Sequence, residues 1–266
     1  MPLLSVMHDT PLWVMGVIIM VLAEIFAVGL MLLTRYRYGV SRLSLNNEVA
    51  GFKFAVVGVF YAVTLAFVVI AVWEDYRDTE TAVRDEAKAV ADLYRITFAL
   101  SEDGGAEIRK ELLSYARNVP EYEWPTMAVG EPSETVSENL NKLSAAIFAV
   151  QPEQGRELAL YEHALQLLTV VTDSRAERLD SANGSIDEIL WFVLIVGGAI
   201  TLGYPAFFAS SNLNAQVLMT ASLAALVALS LLLALAFDFP FTGDPHISSA
   251  PFEQALAQMP PRWPHP

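Results

Sequence analysis

The sequence predicts an all-α membrane protein: four transmembrane helices in two pairs, with a helical extramembrane domain inserted between the pairs. Three observations predict this. Of the 266 residues, 54% are hydrophobic and only 17% charged, whereas a soluble domain carries about 25% charged residues. Four apolar segments, 12–33, 54–73, 189–209 and 217–237, each run for about 20 residues, the length a helix needs to cross roughly 30 Å of hydrocarbon. Between the second and third, residues 74–188 hold 24 of the 30 acids and 11 of the 16 bases. Charge is thus segregated from the apolar segments. Lipid leaves open backbone groups unsatisfied, so the spans must be helices. The expected divisions are 1–73 (first pair), 74–188 (acidic domain), 189–237 (second pair) and 238–266 (tail).

The N-terminus lacks the basic start of a signal peptide, so the first apolar segment is kept as structure. Leu12–Leu33 is interrupted only by Glu24. The connection after it carries Arg35, Arg37, Arg42 and Lys53 against the single acid Glu48. Within Phe54–Trp73 only Tyr61 and Thr64 are mildly polar, and Gly51, Ala55, Gly58, Ala62 and Ala66 recur at spacings of three and four. That small-residue face suits either a helix–helix seam or the slim wall of a pore. Trp73 and Trp191 stand where the second span leaves the membrane and the third enters it, as interfacial aromatics do.

Beyond the second span, Val83, Ala87, Val90, Tyr94, Thr97 and Leu100 keep helical spacing, so the span is expected to continue into water as one long helix. A break is expected at Ser101–Gly105, then a helix to about Asn118. Pro120, Trp124-Pro125 and Gly130–Pro132 read as a loop. Helices over 133–150 and 152–181 follow, the second with Leu158, Tyr161, Leu165, Leu168 and Thr172 on one face, and Asn183-Gly184 interrupts the chain before the third span. There, Gly197-Gly198 and Gly203 weaken the helix, and Pro205 removes an internal hydrogen bond and should kink or end it. The fourth span closes at Asp238-Phe239-Pro240-Phe241-Thr242-Gly243, with Asp238 read as a hydrated terminating acid. The tail, with Pro260-Pro261 and Pro264, reads as irregular.

A net charge of −14 argues against a nucleic-acid partner, since phosphate binding needs clustered Lys and Arg. With no cysteine there are no disulfides, thiolate metal sites or Cys nucleophiles. His8, His163, His246 and His265 lie far apart, and no zinc-protease, Walker or dinucleotide motif stands in the chain. Neither an enzyme nor a bound cofactor or metal is expected. The partners expected are the lipid bilayer, further copies of the chain, and inorganic ions.

Glu24 is the most informative residue, because a charge at mid-membrane costs about 2.5–3.5 kcal/mol on insertion scales. Tyr61, Thr64, Thr201, Ser222 and Ser230 lie near the same depth. Either Glu24 is a proton or cation site in a polar layer, or it is a protonated residue hydrogen-bonded to a neighbouring hydroxyl or carbonyl and serving only packing. At the mouth of the second span, Asn46, Asn47 and Glu48 offer a helix cap or a ring in a symmetric oligomer. Counting basic residues on short loops puts the first connection in the cytoplasm and the acidic domain outside it, with the chain in the cell (inner) membrane.

Several stretches carry a family resemblance: Asn47–Gly51, Val57–Phe67, Val72–Tyr76, Leu93–Arg95, Glu123–Pro125, Arg175–Leu179 and Asp238–Gly243. Together they cover most of residues 46–255. The chain resembles a bacterial membrane-protein family long catalogued as a domain of unknown function and now called bestrophin-like. The resemblance implies kinship with bestrophins, pentameric anion channels whose second membrane helix lines the pore and whose helical domain is cytosolic. Carried over by position, Gly51, Gly58, Tyr61, Leu65 and Val68 would face a central pathway. Glu24 and the acidic domain would favour cations or protons over anions. The expected function is a homo-oligomeric ion channel or pore, possibly a pentamer. The alternative is a non-conducting membrane sensor or scaffold whose acidic domain binds a partner or ligand.

Overall fold

The computed structural model describes residues 10–100, 102–152 and 155–259. Its main helices are α1 (Leu12–Tyr38), α2 (Asn47–Ile96), α3 (Glu102–Asn118), α4 (Glu134–Phe148), α5 (Arg156–Ser181), α6 (Glu188–Gly203), α7 (Leu213–Asp238) and α8 (Ala250–Ala257). Short helical turns fill the connections Val40–Leu43, Ser44–Asn46, Thr97–Ala99, Val119–Glu123, Trp124–Met127 and Tyr204–Phe207. There is no strand among the described residues. The chain divides into two compact units, with boundaries at Glu74/Asp75, Gly184/Ser185 and Asp238/Phe239.

In the first unit α1, the start of α2, α6 and α7 form the membrane part of an all-α membrane protein. All four helices are long and apolar enough to cross a bilayer, yet only 11–33% of their most apolar windows is buried within the chain. The core of a soluble globule would be covered; these side chains need lipid. The small buried centre gathers Ala27, Tyr61, Leu65, Val68, Leu194, Leu202, Ala224 and Val227. α1 packs most extensively on α7, and Gly16 lets them close up: a Cβ there would stand 2.7 Å from Leu232 Cδ2. The α-helical pattern of α6 stops at Gly203, and Tyr204–Phe207 is a 3-10 turn with Pro205 buried in it.

The second unit is the inserted helical domain. Val83, Ala87, Val90, Tyr94, Thr97 and Leu100 are all buried, as their spacing predicts, and α2 runs for 50 residues without interruption. Several expectations need correction. Gly104-Gly105 sits inside α3 rather than breaking the chain, because Gly105 permits a close approach: a Cβ there would meet Thr97 O at 2.3 Å. The expected loop at Pro120 and Trp124-Pro125 is a continuation of helical turns, with each proline in a first turn, where its missing N–H is tolerated. α5 buries Ala164, Leu168, Val171, Ser174 and Arg178, whereas Leu158 is 41% exposed; the packed face is rotated off the stripe of largest apolar residues. The tail forms α8, with Phe252 and Ala255 buried. Met1–Ser5, His8, His265 and the Pro260-Pro261 and Pro264 positions lie outside the described residues.

Candidate functional site

In the membrane unit, α2 shows three faces. Tyr61, Leu65, Val68 and Val72 are buried, so Tyr61, Leu65 and Val68, expected on a pathway, pack inside the protomer instead. The Tyr61 hydroxyl donates to Leu194 O at 3.2 Å. Its ring explains Gly197-Gly198: a Cβ on Gly197 would stand 2.9 Å from Tyr61 Cδ2, and one on Gly198 2.9 Å from Tyr61 Oη. The paired glycines make room for a tyrosine. The small stripe is turned away from this core. Gly51, Ala55, Ala62 and Ala66 are exposed and Gly58 half-buried, and a Cβ on Gly51 or Gly58 would meet nothing within 4 Å. The third face carries exposed Phe52, Val59, Phe60, Val63 and Phe67, as lipid contact requires.

The polar residues of the spans do not form one layer. Thr64 donates to Phe60 O (2.9 Å), Thr201 to Gly197 O (2.8 Å) and Ser230 to Leu226 O (2.9 Å), each four residues back in its own helix. This arrangement satisfies hydroxyls in an apolar medium. Ser222 is exposed. None of them reaches Glu24, which is half-buried at the margin of the packed α1 face and has no hydrogen-bond or ion-pair partner among the described residues. Neither a hydroxyl nor a carbonyl among the described residues of the protomer bonds it.

Asn46 and Glu48 are exposed. Asn47 clasps the α6–α7 connection from both sides: Nδ2 donates to Ala209 O at 3.0 Å and Oδ1 accepts from Ala209 N at 3.1 Å. Arg35 Nη1 donates to Ser210 O and to Gln216 Oε1, each at 2.7 Å, and Gln216 Nε2 donates to Phe208 O at 2.9 Å. A basic residue counted for orientation is thus also a structural tie. Trp73 is 44% exposed. Asp238 is only 1% exposed, which corrects its reading as a hydrated acid. Its Oδ1 accepts from Ser185 N and Ile186 N at 2.8 Å, and its Oδ2 from Trp191 Nε1 at 3.0 Å. Asp238 ties the end of α7 to the entry of α6.

In the extramembrane unit the structure assembles a buried ion cluster. Arg178 on α5 is fully buried. It donates through Nε to Glu86 Oε2 (2.7 Å) and through Nη2 to Glu86 Oε1 (3.0 Å) and Glu123 Oε2 (2.7 Å). Nη1 reaches Met127 Sδ at 2.9 Å, and the guanidinium lies 5.1 Å from the Trp124 ring centroid. Arg175 pairs with Glu123 and donates to Ser137 Oγ at 2.9 Å. Tyr115 donates its hydroxyl to Glu86 Oε1 at 2.6 Å. Two carboxylates meet two guanidinium groups, so the site is neutral.

Burial alone would raise the Glu123 carboxyl, but the hydrogen bonds and charges of Arg175 and Arg178 win and hold it below its ordinary value. Burial, then the Glu86 charge, pushes the Tyr115 hydroxyl well up and keeps it a neutral donor. Burial alone would lower Arg178, yet Glu86 and then Glu123 raise it further, so its charge is fixed. Glu123 and Trp124, with Arg175 and Arg178, come from two of the resemblance stretches. Sequence reasoning gave them no role, although an arginine in register with Ala164, Leu168 and Val171 was a legible signal.

The Asp238–Gly243 motif continues beyond the acid with buried Phe239, Pro240 and Phe241. Phe241 meets the Trp124 ring edge-on at 5.7 Å, Thr242 donates to Ala128 O at 3.0 Å, and Pro240 O accepts from Ile247 N at 2.8 Å. Gly243 has φ 78°, the left-handed region open to glycine.

A family model described as a Bestrophin-like domain matches residues 21–252. Solved structures with the same fold include a bacterial bestrophin homologue from Klebsiella pneumoniae, 13% identical, covering 90% of this chain and 96% of the other, with a TM-score of 0.65. Two forms of that homologue carrying single substitutions give 14% identity, 90% and 97% coverage and a TM-score of 0.66, and 12%, 90% and 95%, and 0.67. No curated protein matches the sequence significantly.

Proposed function

The chain belongs to the bestrophin-like family, and from that premise we propose that it is a homo-oligomeric ion channel or pore, built as a pentamer with the second span lining the pathway. The observation that carries the reading is the family match across residues 21–252, on a protomer whose small-residue α2 face is left uncovered. With Tyr61, Leu65 and Val68 turned inward, the lining falls to Gly51 and Gly58 with Ala55, Ala62 and Ala66, and Asn46 and Glu48 stand at the mouth. Thr64 lies about 155° around the helix from this stripe, at roughly 100° per residue, and is left out of the lining.

A symmetric ring multiplies each such group by the number of subunits, which is how a pore with few polar residues acquires rings of charge. Glu24, lacking a partner in its own protomer, biases conduction toward cations or protons. The test is ion flux in liposomes holding the purified protein, compared with Glu24→Gln. Wild-type flux with reduced cation preference in the variant is expected. Unchanged selectivity removes Glu24 from the pathway, and no flux across voltage, pH and Ca²⁺ variation removes the channel.

The acidic unit is read as cytoplasmic, as in bestrophins. Against the loop count that places it outside, Arg77, Arg84 and Lys88 near its membrane end offset the basic residues of the first connection. Labelling of Lys142→Cys in intact cells by a membrane-impermeant maleimide tests this: no label is expected, and labelling reverses the orientation.

A second reading draws on the 50-residue α2, which runs without interruption from the first unit into the second. On that reading the chain is a non-conducting sensor whose acidic unit binds a partner. A stoichiometric partner in purified material, with no central pathway in the assembly, would favour it.

A further inference from the structure

In the membrane unit, two open cavities lie one helical turn apart between α2 and α6. In the first, of about 410 Å³, Val49, Ala50 and Lys53 of α2 face Tyr204 and Phe207. In the second, of about 370 Å³, Val57, Phe60, Tyr61 and Thr64 of α2 face Gly197 and Thr201 of α6. Spacings of three and four carry each helix from one cavity to the next, so the two trace a single furrow. At its outer end Tyr204–Phe207 is a 3-10 turn, in which residues three apart eclipse. Tyr204 and Phe207 therefore keep to the same face, with ring centroids 5.9 Å apart. At roughly 100° per residue, the furrow is centred about 160° around α2 from the small-residue stripe. A stripe that lines a pore leaves the furrow open to lipid.

The polar groups divide along its length. In the second cavity every hydroxyl is spent: Tyr61 on Leu194 O, Thr64 on Phe60 O and Thr201 on Gly197 O. The floor, Tyr61 and Thr201, is buried, while the rims, Phe60, Val193 and Ile200, are 46–73% exposed. An apolar trough with no free hydroxyl suits a hydrocarbon chain and penalises a polar ligand. At the first cavity the reverse holds. The Lys53 ammonium and the Tyr204 hydroxyl make no hydrogen bond or ion pair among the described residues. Glu48, the one acid of the first connection, stands about 140° around α2 from Lys53, and Arg37 and Arg42 add further positive charge to that connection. From Lys53 to Thr64 α2 rises about 17 Å, close to one leaflet of a roughly 30 Å hydrocarbon core.

We propose that this furrow holds an anionic phospholipid, its phosphate on Lys53 and Tyr204 at the interfacial end and one acyl chain lying between α2 and α6 as far as Thr64. The Lys53 stem lies along apolar wall while its ammonium reaches the headgroup layer, and Tyr204 is an interfacial aromatic with a hydroxyl to donate. A free anion would use the cation and leave the trough empty. A neutral lipid would fill the trough and leave Lys53 without a countercharge. Only a lipid with a net negative headgroup satisfies both ends. The site is complete within one protomer and does not need the ring.

For the test, full-length protein is delipidated in detergent and given phosphatidylglycerol, phosphatidylcholine or inorganic phosphate, and native mass spectrometry reads the occupancy. Phosphatidylglycerol should bind about fivefold more tightly than phosphatidylcholine, the effect of one basic residue on an anionic lipid. Lys53→Gln should abolish that preference and Lys53→Arg should keep it, which separates loss of the site from loss of the fold. Arg42→Gln, outside the furrow, should leave it unchanged. Val57→Trp, which fills the trough, should weaken both lipids. Phosphatidylglycerol with a photoactivatable acyl chain should label residues 57–64 and 193–201. Equal binding of the two lipids, a preference that survives Lys53→Gln, or an equal loss in Arg42→Gln overturns the proposal. So does displacement of the lipid by inorganic phosphate, which would mark a free-anion site, or labelling confined to other stretches, as when a second copy covers the furrow.

Discussion

Replacing Arg178 by Met should destabilise the extramembrane unit by about 3–5 kcal/mol, the cost of removing one partner from a buried ion pair. Arg178, Glu86 and Glu123 are each fully buried, so water cannot take over the lost bonds. The substitution leaves Glu86 with the Tyr115 hydroxyl alone and Glu123 with Arg175, and changes a neutral site into one bearing a net negative charge. Against a typical domain stability of about 5–15 kcal/mol, such a loss is a third or more of the total. Denaturant unfolding of the purified protein should register it, together with faster hydrogen exchange along residues 83–94 of α2. Adding Glu86→Gln should recover part of the loss, because it removes the uncompensated carboxylate.

The same cluster predicts an acid-side dependence with a definite sign. Glu123 titrates lower in the folded chain than its ordinary 4.5, so its contribution is fully present above that value and is lost as pH falls through the depressed one. Glu123→Gln should flatten this acid limb. A loss below about 1 kcal/mol for Arg178→Met, or a double variant no more stable than the single one, would refute the reasoning.

Two further outcomes follow from close contacts in the membrane unit. Gly198→Ala should lower thermal stability by about 1–3 kcal/mol through overpacking, since its Cβ would stand 2.9 Å from Tyr61 Oη, and Tyr61→Leu should remove the clash; a stabilised Gly198→Ala would show that Tyr61 is free to move. Asp238→Ala should cost more than Asp238→Asn in the same melt, because alanine strands the Ser185 and Ile186 N–H groups and the Trp191 indole at about 1–3 kcal/mol for an unsatisfied buried donor; equal melting of both variants and wild type would mean water reaches the site.

The apolar runs, the long α2 and the inserted acidic helices were legible because lipid and helix periodicity each leave a repeating mark in the chain. The ion cluster was half-legible. Arg178 stands in line with Ala164, Leu168 and Val171, but its partners Glu86 and Glu123 lie 92 and 55 residues away, and no local spacing connects them. The burial of Asp238 was invisible for the same reason, since its donors come from the turn 52 and 53 residues earlier.

Composition and periodicity by themselves determined that this chain is helical, membrane-embedded and split by a charged insertion, because solvent preference acts on each residue separately. Only the tertiary structure decided which α2 face is inward, why Gly197-Gly198 faces Tyr61, and which buried charges neutralise one another. Those are pairwise facts, fixed by contacts between segments far apart in the chain, where distance and burial set the energy.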